Sequence, residues 1–162
     1  RVLLDAAHNE AGAASRADYL REALPGGRQP LVFGAVGDKD HAGMLRHLLP
    51  CASHVVITVP PTPRAAEPGA LRATALGLDP GARVAIEPDP AAALDAAWAH
   101  APDITVAGSI LLTLRMAARA ATAHITTVTK NNPTAIGGVT TMLIAVACVA
   151  ITTRLTSAPP TI

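Results

Sequence analysis

Residues 1–10 read RVLLDAAHNE, and they place an apolar strand, Val2–Leu4, directly before an aspartate, a histidine and an asparagine. Residues 31–40 read LVFGAVGDKD and repeat this plan, because a second apolar strand again runs into charged residues. The carboxyl ends of parallel strands meet at one edge of an open α/β sheet, and ligands bind there. The two stretches therefore predict the fold and the position of its ligand site together.

The alternation of strand and helix signals continues to Ala121 and defines a first domain, residues 1–121. We predict five strands, at Val2–Asp5, Leu31–Val36, Ser53–Val59, Arg83–Glu87 and Asp103–Ala107. We predict helices at Glu10–Leu24, Ala42–Leu49, Gly69–Leu76, Pro90–His100 and Ile110–Ala121. Strands separated by helices of this length form parallel βαβ units with right-handed crossovers. The predicted fold is a Rossmann-like α/β domain, with a mostly parallel sheet and helices on both faces.

The composition changes in residues 122–162, which form a threonine-rich tail with only two charged side chains, Lys130 and Arg154. Within this tail the segment 135–153 has no charge, and residues 142–151 are continuously apolar. About twenty apolar residues suffice to span a membrane, so membrane insertion is one interpretation of the segment. The two others are a buried additional helix and an appended tail unrelated to the α/β domain.

Charge and composition exclude several classes of function. The formal net charge is +1, and the chain has one tryptophan, one tyrosine and one phenylalanine. It therefore lacks the basic surface and the stacking aromatic residues that nucleic-acid binding needs. Cys51 and Cys148 fit no metal spacing, which predicts two free, buried thiols in a reducing cytoplasm. We predict no metal site, because ligand spacing is also missing from the other histidines, His41, His47, His54, His100 and His124.

The end of the first strand carries the first candidate site residues. Asp5 and His8 would project into the crevice at the sheet edge, beside a helix N-terminus that favours a phosphate or ribose ligand. The structural alternative is a capping turn with a hydrogen-bonded histidine. Asn9 is the expected N-cap of the helix that follows, and Asp89 is expected to cap the fourth helix in the same way.

The end of the second strand carries the next group. Small residues from Gly34 to Gly37 would let a ligand approach the backbone, and Lys39 would pair with an anion, held between Asp38 and Asp40. A solvated turn with helix-capping aspartates is the alternative. The stretch is not a phosphate-binding P-loop, because the GxxxxGK[ST] spacing is absent.

Two later positions complete the candidate residues. Arg64 lies in a loop that Pro60, Pro61 and Pro63 stiffen, and its guanidinium suits a carboxylate or phosphate. The alternative is a solvated loop arginine without a ligand. Ser109 follows the fifth strand, where it would either cap the last helix or contact a ligand.

Four motifs follow one another in the chain: DAAHNE at 5–10, FGAVGDKD at 33–40, PPTPRAAEP at 60–68 and VAGS at 106–109. As an ordered set they resemble the C-terminal domain of the Mur ligase superfamily. The likeness is greatest to folylpolyglutamate synthase, which in bacteria is often bifunctional with dihydrofolate synthase. The resemblance covers residues 1–121.

This resemblance implies an ATP-dependent ligase that adds L-glutamate to folate or dihydropteroate. ATP would phosphorylate the acceptor carboxylate, and the amine of glutamate would attack the acyl phosphate. ATP and Mg²⁺ would be held mainly by a central ATPase domain that precedes this domain in the family. We therefore expect the chain to be part of a longer cytoplasmic enzyme and to be inactive by itself.

The resemblance also implies roles for the candidate residues. The residues expected to face the nucleotide are Asp5, His8 and Asn9, and those expected to take part in the chemistry are His8 and Lys39. The residues expected to line the substrate pocket are Arg64, Ser109 and Asp38.

The sequence departs from the family pattern at three places. Glu10 replaces the proline that usually ends the first motif, and the chain after Ser109 lacks the family's Tyr-Leu and acidic residue. The tail has no counterpart in the family. Two other functions therefore stay open, a peptidoglycan Mur ligase and a degenerate α/β binding module that the tail tethers to a membrane.

Overall fold

A computed structural model describes residues 2–120 and 125–127, and the side chains of residues 2–117. The strands in these residues are Val2–Leu4 (β1), Gln29–Gly34 (β2), Ala52–Ile57 (β3), Val84–Ile86 (β4), Ile104–Gly108 (β5) and Ile125–Thr127 (β6). The α-helices are Glu10–Ala23 (α1), His41–Leu48 (α2), Pro68–Leu78 (α3), Pro90–Trp98 (α4) and Ile110–Ala120 (α5). A short 3-10 helix, Leu49–Cys51, leads from α2 into β3.

The strands form one parallel sheet in the order β4-β3-β2-β5-β1-β6. Helix α2 packs against both α1 and α3, and α4 packs against α5 and against strands β2 and β3. These contacts separate the helices into two layers on opposite faces, as right-handed crossovers require. Strand β5 lies between β1 and β2, so the connections reverse direction there. Such a switch point is where open α/β sheets bind ligands.

The core is aliphatic and rich in alanine, as the composition predicts. Met44, Leu45 and Leu48 of α2 are at most 1% exposed, and Phe33 of β2 is fully buried beneath the same layer. The α1 residues Ala13, Ala17 and Leu20, which helical spacing places on one face, are also buried, and Leu24 beyond the end of α1 is half-buried. Small side chains on α1 let this helix pack closely against α2.

The predicted elements are confirmed, with small shifts of their ends. Strand β2 begins at Gln29 and includes Pro30, and its register with β3 shifts between Gln29 and Leu31. Proline has no backbone N–H to donate to a neighbouring strand, so a central strand tolerates it only at a break in the regular pairing such as this register shift. Strand β6 was not predicted; it pairs Ile125 with Val2 and brings residues of the threonine-rich region into the sheet.

The tail interpretations concern residues that are mostly not described. The apolar segment 135–153 and Cys148 lie outside the described residues, whereas Cys51 is buried and free, as predicted. In the described part of the chain, every helix is too short or too polar to cross a membrane.

The carboxyl ends of β2 and β5 approach each other closely at a pair of glycines. Gly108 has a φ of 116°, a conformation that side chains rarely adopt, and a Cβ there would overlap the carbonyl oxygen of Gly34. A Cβ on Gly34 would in turn lie 2.7 Å from the carbonyl oxygen of Thr58. The glycines therefore let three strand ends converge on the edge where the site is expected.

We expect Gly108→Ala to lower the free energy of unfolding by at least about 1–3 kcal/mol, the cost of backbone strain alone. Gly77→Ala is the matched control, because a Cβ at this α3 position meets no atom within 4 Å; it should raise stability by up to about 1 kcal/mol. Urea denaturation of both variants measures the difference. Equal stabilities would contradict the close approach of β2 and β5.

Candidate functional site

Backbone hydrogen bonds join the loops at the carboxyl edge of the sheet. The amide of Ser109 after β5 donates to Gly34 at 2.7 Å, and the amide of Thr58 after β3 donates to Phe33 at 2.9 Å. The amide of Asp5 after β1 donates to Val106 at 2.9 Å. The ends of β1, β5, β2 and β3 are therefore held in register, and the predicted site residues lie along one edge.

Asp5 is bonded to a residue that sequence reasoning missed. Its carboxylate accepts hydrogen bonds from Nε and Nη2 of Arg16 on α1, and the Arg16 side chain is only 1% exposed. The guanidinium also lies 5.2 Å from the centre of the Tyr19 ring. A buried cation is stable only when it is paired and hydrogen-bonded, so Asp5 stabilises the attachment of α1 to the end of β1.

The pKa of Asp5 is raised from its ordinary value. Burial of the carboxyl group is the largest cause, and the charges and hydrogen bond of Arg16, together with the charge of His8, oppose it. The position of Arg16 in the sequence contains a signal for this pair. Arg16 lies three residues after Ala13 and four before Leu20, on the inward stripe of α1, where only a partner makes a charge acceptable.

His8 is exposed in the loop between β1 and α1, and its ring has a defined orientation. Nδ1 lies 2.8 Å from the carbonyl oxygen of Ala6. A carbonyl only accepts hydrogen bonds, so Nδ1 carries a proton and Nε2 is the nitrogen that can accept one from a ligand. Asn9 is the N-cap of α1, as predicted, and its Oδ1 accepts from the amide of Gly12 at 2.8 Å.

Asp38 and Arg64, from different loops, are in direct contact. Nη2 of Arg64 donates to Oδ2 of Asp38 at 2.8 Å, although both side chains are more than half exposed. The two loops are also bonded through their backbones, because the amide of Gly37 donates to Arg64 and Val36 forms an isolated antiparallel bridge with Ala65. The proline-rich loop thus presents Arg64 beside the end of β2.

The prediction that Asp38 and Asp40 hold Lys39 between them is wrong. Asp38 bonds Arg64 instead, and Asp40 caps α2 by accepting from the amide of Gly43 at 2.8 Å. Lys39 is half-buried, and within the described residues it forms no ion pair with a carboxylate. Both aspartates already have partners, so Lys39 remains available to an anionic ligand.

Glu10, which departs from the family motif, also has a partner. Its carboxylate lies 3.4 Å from Nε2 of His47 on α2. A Cβ on Gly43 would lie 3.0 Å from the Glu10 carboxyl carbon and 2.5 Å from Asp40 Oδ2. The N-termini of α1 and α2 are therefore neighbours, and glycine leaves room for both acidic side chains between them.

Ser109 is buried and acts as a cap. Its Oγ accepts from the amide of Leu111 at 3.2 Å at the start of α5. The hydroxyl of Thr113 lies 3.3 Å from the carbonyl oxygens of both Ser109 and Asp5, so it connects α5 to the end of β1. Ser109 thus has the capping role that its position allowed, and it lies next to the Asp5 backbone.

The acidic side chains of these loops all have protein partners. Asp5 bonds Arg16, Glu10 bonds His47, Asp38 bonds Arg64 and Asp40 caps α2. Three helix N-termini, those of α1, α2 and α5, also lie at this edge and favour negative charge. The edge is consequently suited to an anionic ligand rather than to a cation. Among residues 2–117 no group of three or more ligating side chains could hold a metal ion, so these residues alone do not fit Mg²⁺.

Comparison with known proteins identifies the class to which this fold and edge belong. The chain belongs to the family described as Mur ligase, glutamate ligase domain, whose model matches residues 1–113. No curated protein sequence matches the chain significantly.

Solved structures with the same fold include two folylpolyglutamate synthases and the protein FolC. The Mycobacterium tuberculosis enzyme complexed with ADP is 30% identical with a TM-score of 0.66, over 76% of this chain and 30% of that chain. Escherichia coli FolC in complex with DHPP and ADP is 29% identical with a TM-score of 0.62, over 76% and 30%. The Yersinia pestis bifunctional enzyme, complexed with AMPPNP and a Mn ion, is 26% identical with a TM-score of 0.61, over 73% and 28%. The chain spans less than a third of each of these relatives.

The pair of Asp5 and Arg16 predicts an asymmetric response to mutation. Asp5→Ala should lower the free energy of unfolding by about 3–5 kcal/mol, because it leaves a buried guanidinium without this carboxylate. Arg16→Met should cost less, since the remaining carboxylate is 22% exposed and can contact water. The double variant should be at least as stable as Asp5→Ala. Urea denaturation of the three variants measures these differences.

The exposed pair of Asp18 and Arg21 on α1 is the matched control. Asp18→Ala should change stability by no more than about 1 kcal/mol, because exposed ion pairs contribute little. If Asp5→Ala costs no more than Asp18→Ala, the buried pair does not fix α1 to β1.

Proposed function

We propose that this chain is the C-terminal domain of an ATP-dependent, cytoplasmic ligase that adds L-glutamate to folate or dihydropteroate. The site would lie at the carboxyl edge of the sheet. Membership of the glutamate ligase domain family supports the reaction class, and the likeness to folylpolyglutamate synthases favours a folate or pteroate acceptor. The chain alone would not catalyse the reaction, since the ATPase domain would belong to another part of the enzyme.

The charge arrangement at the edge is the observation that carries this proposal. The acidic side chains of the first two loops have protein partners, whereas Lys39 and the Nε2 of His8 face no acidic partner among the described residues. Phosphate groups bind cationic donors and helix N-termini; Lys39 is such a donor, and Nε2 of His8 becomes one when the imidazole carries a second proton. His8 and Lys39 are therefore the residues that we propose contact the phosphates of ATP, with Asn9 fixing the loop that carries His8. Asp5 would not contact the ligand; it would orient the same loop through its ion pair with Arg16.

Arg64 is the proposed contact for the incoming glutamate. The Arg64 side chain is 68% exposed, and Asp38 orients it by accepting from Nη2. The other N–H groups of the guanidinium can therefore donate to the carboxylate of a ligand. Backbone hydrogen bonds join the loop that carries Arg64 to the residues after β2, which restricts its movement. The amino acid would therefore be held beside the phosphate-binding residues, with Ser109 at the base of the same edge.

The first half of α5 supports closure against another domain. Ile110, Leu111 and Leu114 are each more than 40% exposed, and they follow Ser109 at the same edge as the site. Apolar side chains grouped next to a polar site commonly mark a contact surface. An ATPase domain that packs here would exclude water from an acyl phosphate, which water would otherwise hydrolyse.

In the proposed reaction the acceptor carboxylate attacks the terminal phosphate of ATP and releases ADP. The glutamate amine then attacks the resulting acyl carbon, so an amide bond forms and inorganic phosphate leaves. Positive groups at this edge would stabilise the negative charge that gathers on the phosphates. Mg²⁺ would be bound by the other domain, because the described residues offer no ligand set for it.

The experiment that tests this function uses the protein encoded by the complete reading frame. Incorporation of radiolabelled glutamate should require ATP together with dihydropteroate or tetrahydrofolate. His8→Ala and Arg64→Ala should each lower kcat/KM at least about 100-fold, as expected for loss of one charge-stabilising donor. A UDP-linked muramoyl acceptor should give no product.

Arg72→Ala is the control, since Arg72 is an exposed arginine on α3 outside the loops of the site. It should retain nearly full activity, and all variants should unfold at the same urea concentration. Activity on the muramoyl acceptor would replace the folate assignment with a peptidoglycan ligase. Near-normal activity of both site variants would contradict their proposed roles.

Asp38 offers a separate test of how Arg64 is oriented. Asp38→Ala should raise KM for glutamate about tenfold, with a smaller effect on kcat, because Arg64 loses the partner that fixes its direction. Stability should change by less than about 1 kcal/mol, since the pair is exposed. Steady-state kinetics of the complete protein measure the split between KM and kcat. An unchanged KM would show that Arg64 does not need Asp38.

A further inference from the structure

A pocket lies at the amino edge of the sheet, where β2, β3 and β4 begin, opposite the edge of the proposed ligase site. Its volume is about 360 Å³, which falls within the range of small-molecule sites, about 300–1,000 Å³. The residues that line it come from the loop before β2, the start of β3 and the turn before β4. A strand of six residues separates this edge from the carboxyl edge by about 20 Å, so the pocket is distinct from the proposed ligase site.

The pocket has more basic than acidic side chains. Arg28, His54 and Arg83 line it together with the hydroxyl group of Ser53. The acidic lining residue is Asp79, whose Oδ1 already accepts from the amide of Gly81 at 3.0 Å. In the described part of the chain, neither arginine forms an ion pair with a carboxylate. In a chain with a net charge of +1, this is a local concentration of hydrogen-bond donors.

His54 is held between other basic groups. Its ring stacks on His100, with the centroids 3.8 Å apart and the planes inclined by 9°. Nη1 of Arg83 lies 3.4 Å from its Nε2. A guanidinium only donates, so Nε2 accepts and the proton of the neutral ring is on Nδ1, which faces Ser53 Oγ at 3.5 Å. Burial, His100 and Arg83 lower the pKa of His54.

We infer that this pocket binds a small phosphate-bearing ligand between Arg28 and Arg83, with His54 and Ser53 as further donors. Two guanidinium groups, an imidazole and a hydroxyl match the several acceptor oxygens of a phosphate dianion better than the two of one carboxylate. The dianion would also offset the repulsion between Arg83 and protonated His54. The volume leaves room for a small organic group on the phosphate. This inference does not depend on the proposed ligase function.

Titration of the full 162-residue chain with inorganic phosphate tests the site, with nuclear magnetic resonance of the histidine rings at constant ionic strength as the readout. We expect saturable shifts of His54 and His100, with a Kd of about 1 mM or tighter, the range of weak specific binding. Phosphate should also raise the pKa of His54, because its negative charge opposes the effects of His100 and Arg83.

Arginine variants distinguish specific binding of phosphate in this pocket from a general attraction of anions to the protein surface. Arg28→Gln and Arg83→Gln should each weaken phosphate binding about tenfold, and Arg46→Gln, an exposed position on α2 away from the pocket, should leave it unchanged. Two independent variants keep the test decisive if one of them fails to fold. The absence of saturable shifts in the unaltered chain would overturn the inference. Equal weakening by Arg46→Gln, or unchanged binding by a folded Arg28→Gln or Arg83→Gln, would overturn it too.

Discussion

The buried ion pair between Asp5 and Arg16 is the constraint on which the site geometry depends. A guanidinium that is almost fully buried must have a carboxylate, and the Asp5 carboxylate at the end of β1 bonds it. The pair fixes α1 against the sheet and thereby sets the course of the loop that carries His8 and Asn9. The backbone of Asp5 also accepts from Thr113, which connects the same point to α5. One aspartate therefore links the sheet to a helix on each face.

The remaining acidic groups at this edge follow a common pattern. Glu10, Asp38 and Asp40 each contact a basic side chain or a helix N-terminus, and none is left to repel an anion. The polar groups that stay available are donors or basic groups on loops that backbone hydrogen bonds hold in place. Binding energy for an anionic ligand is then not spent on ordering the loops. This arrangement would let a chain with a net charge of only +1 bind an anion at this edge without a large basic surface.

Features that depend on local sequence could be predicted, and those that depend on distant partners could not. The N-caps Asn9 and Asp89 follow from side chains that bond amides three residues on, and the structure confirms both. The parallel strands follow from apolar runs of the right length. Arg16 was missed because its partner is eleven residues away across a turn. The partner of Lys39 was predicted wrongly because Asp38, the residue before it, bonds Arg64 on another loop. Strand β6 escaped prediction because its three residues carry no pattern apart from the pairing with β1.

The proposed ligase would use this edge together with another domain that binds most of the nucleotide. The most direct test is to sequence the genomic DNA upstream of the codon for Arg1 and to read it in frame. We expect an ATPase domain with a GxxGKGS-type phosphate loop, whose backbone amides and lysine cradle nucleotide phosphates. A start codon close to Arg1, with no such domain before it, would contradict the account and leave an isolated α/β module.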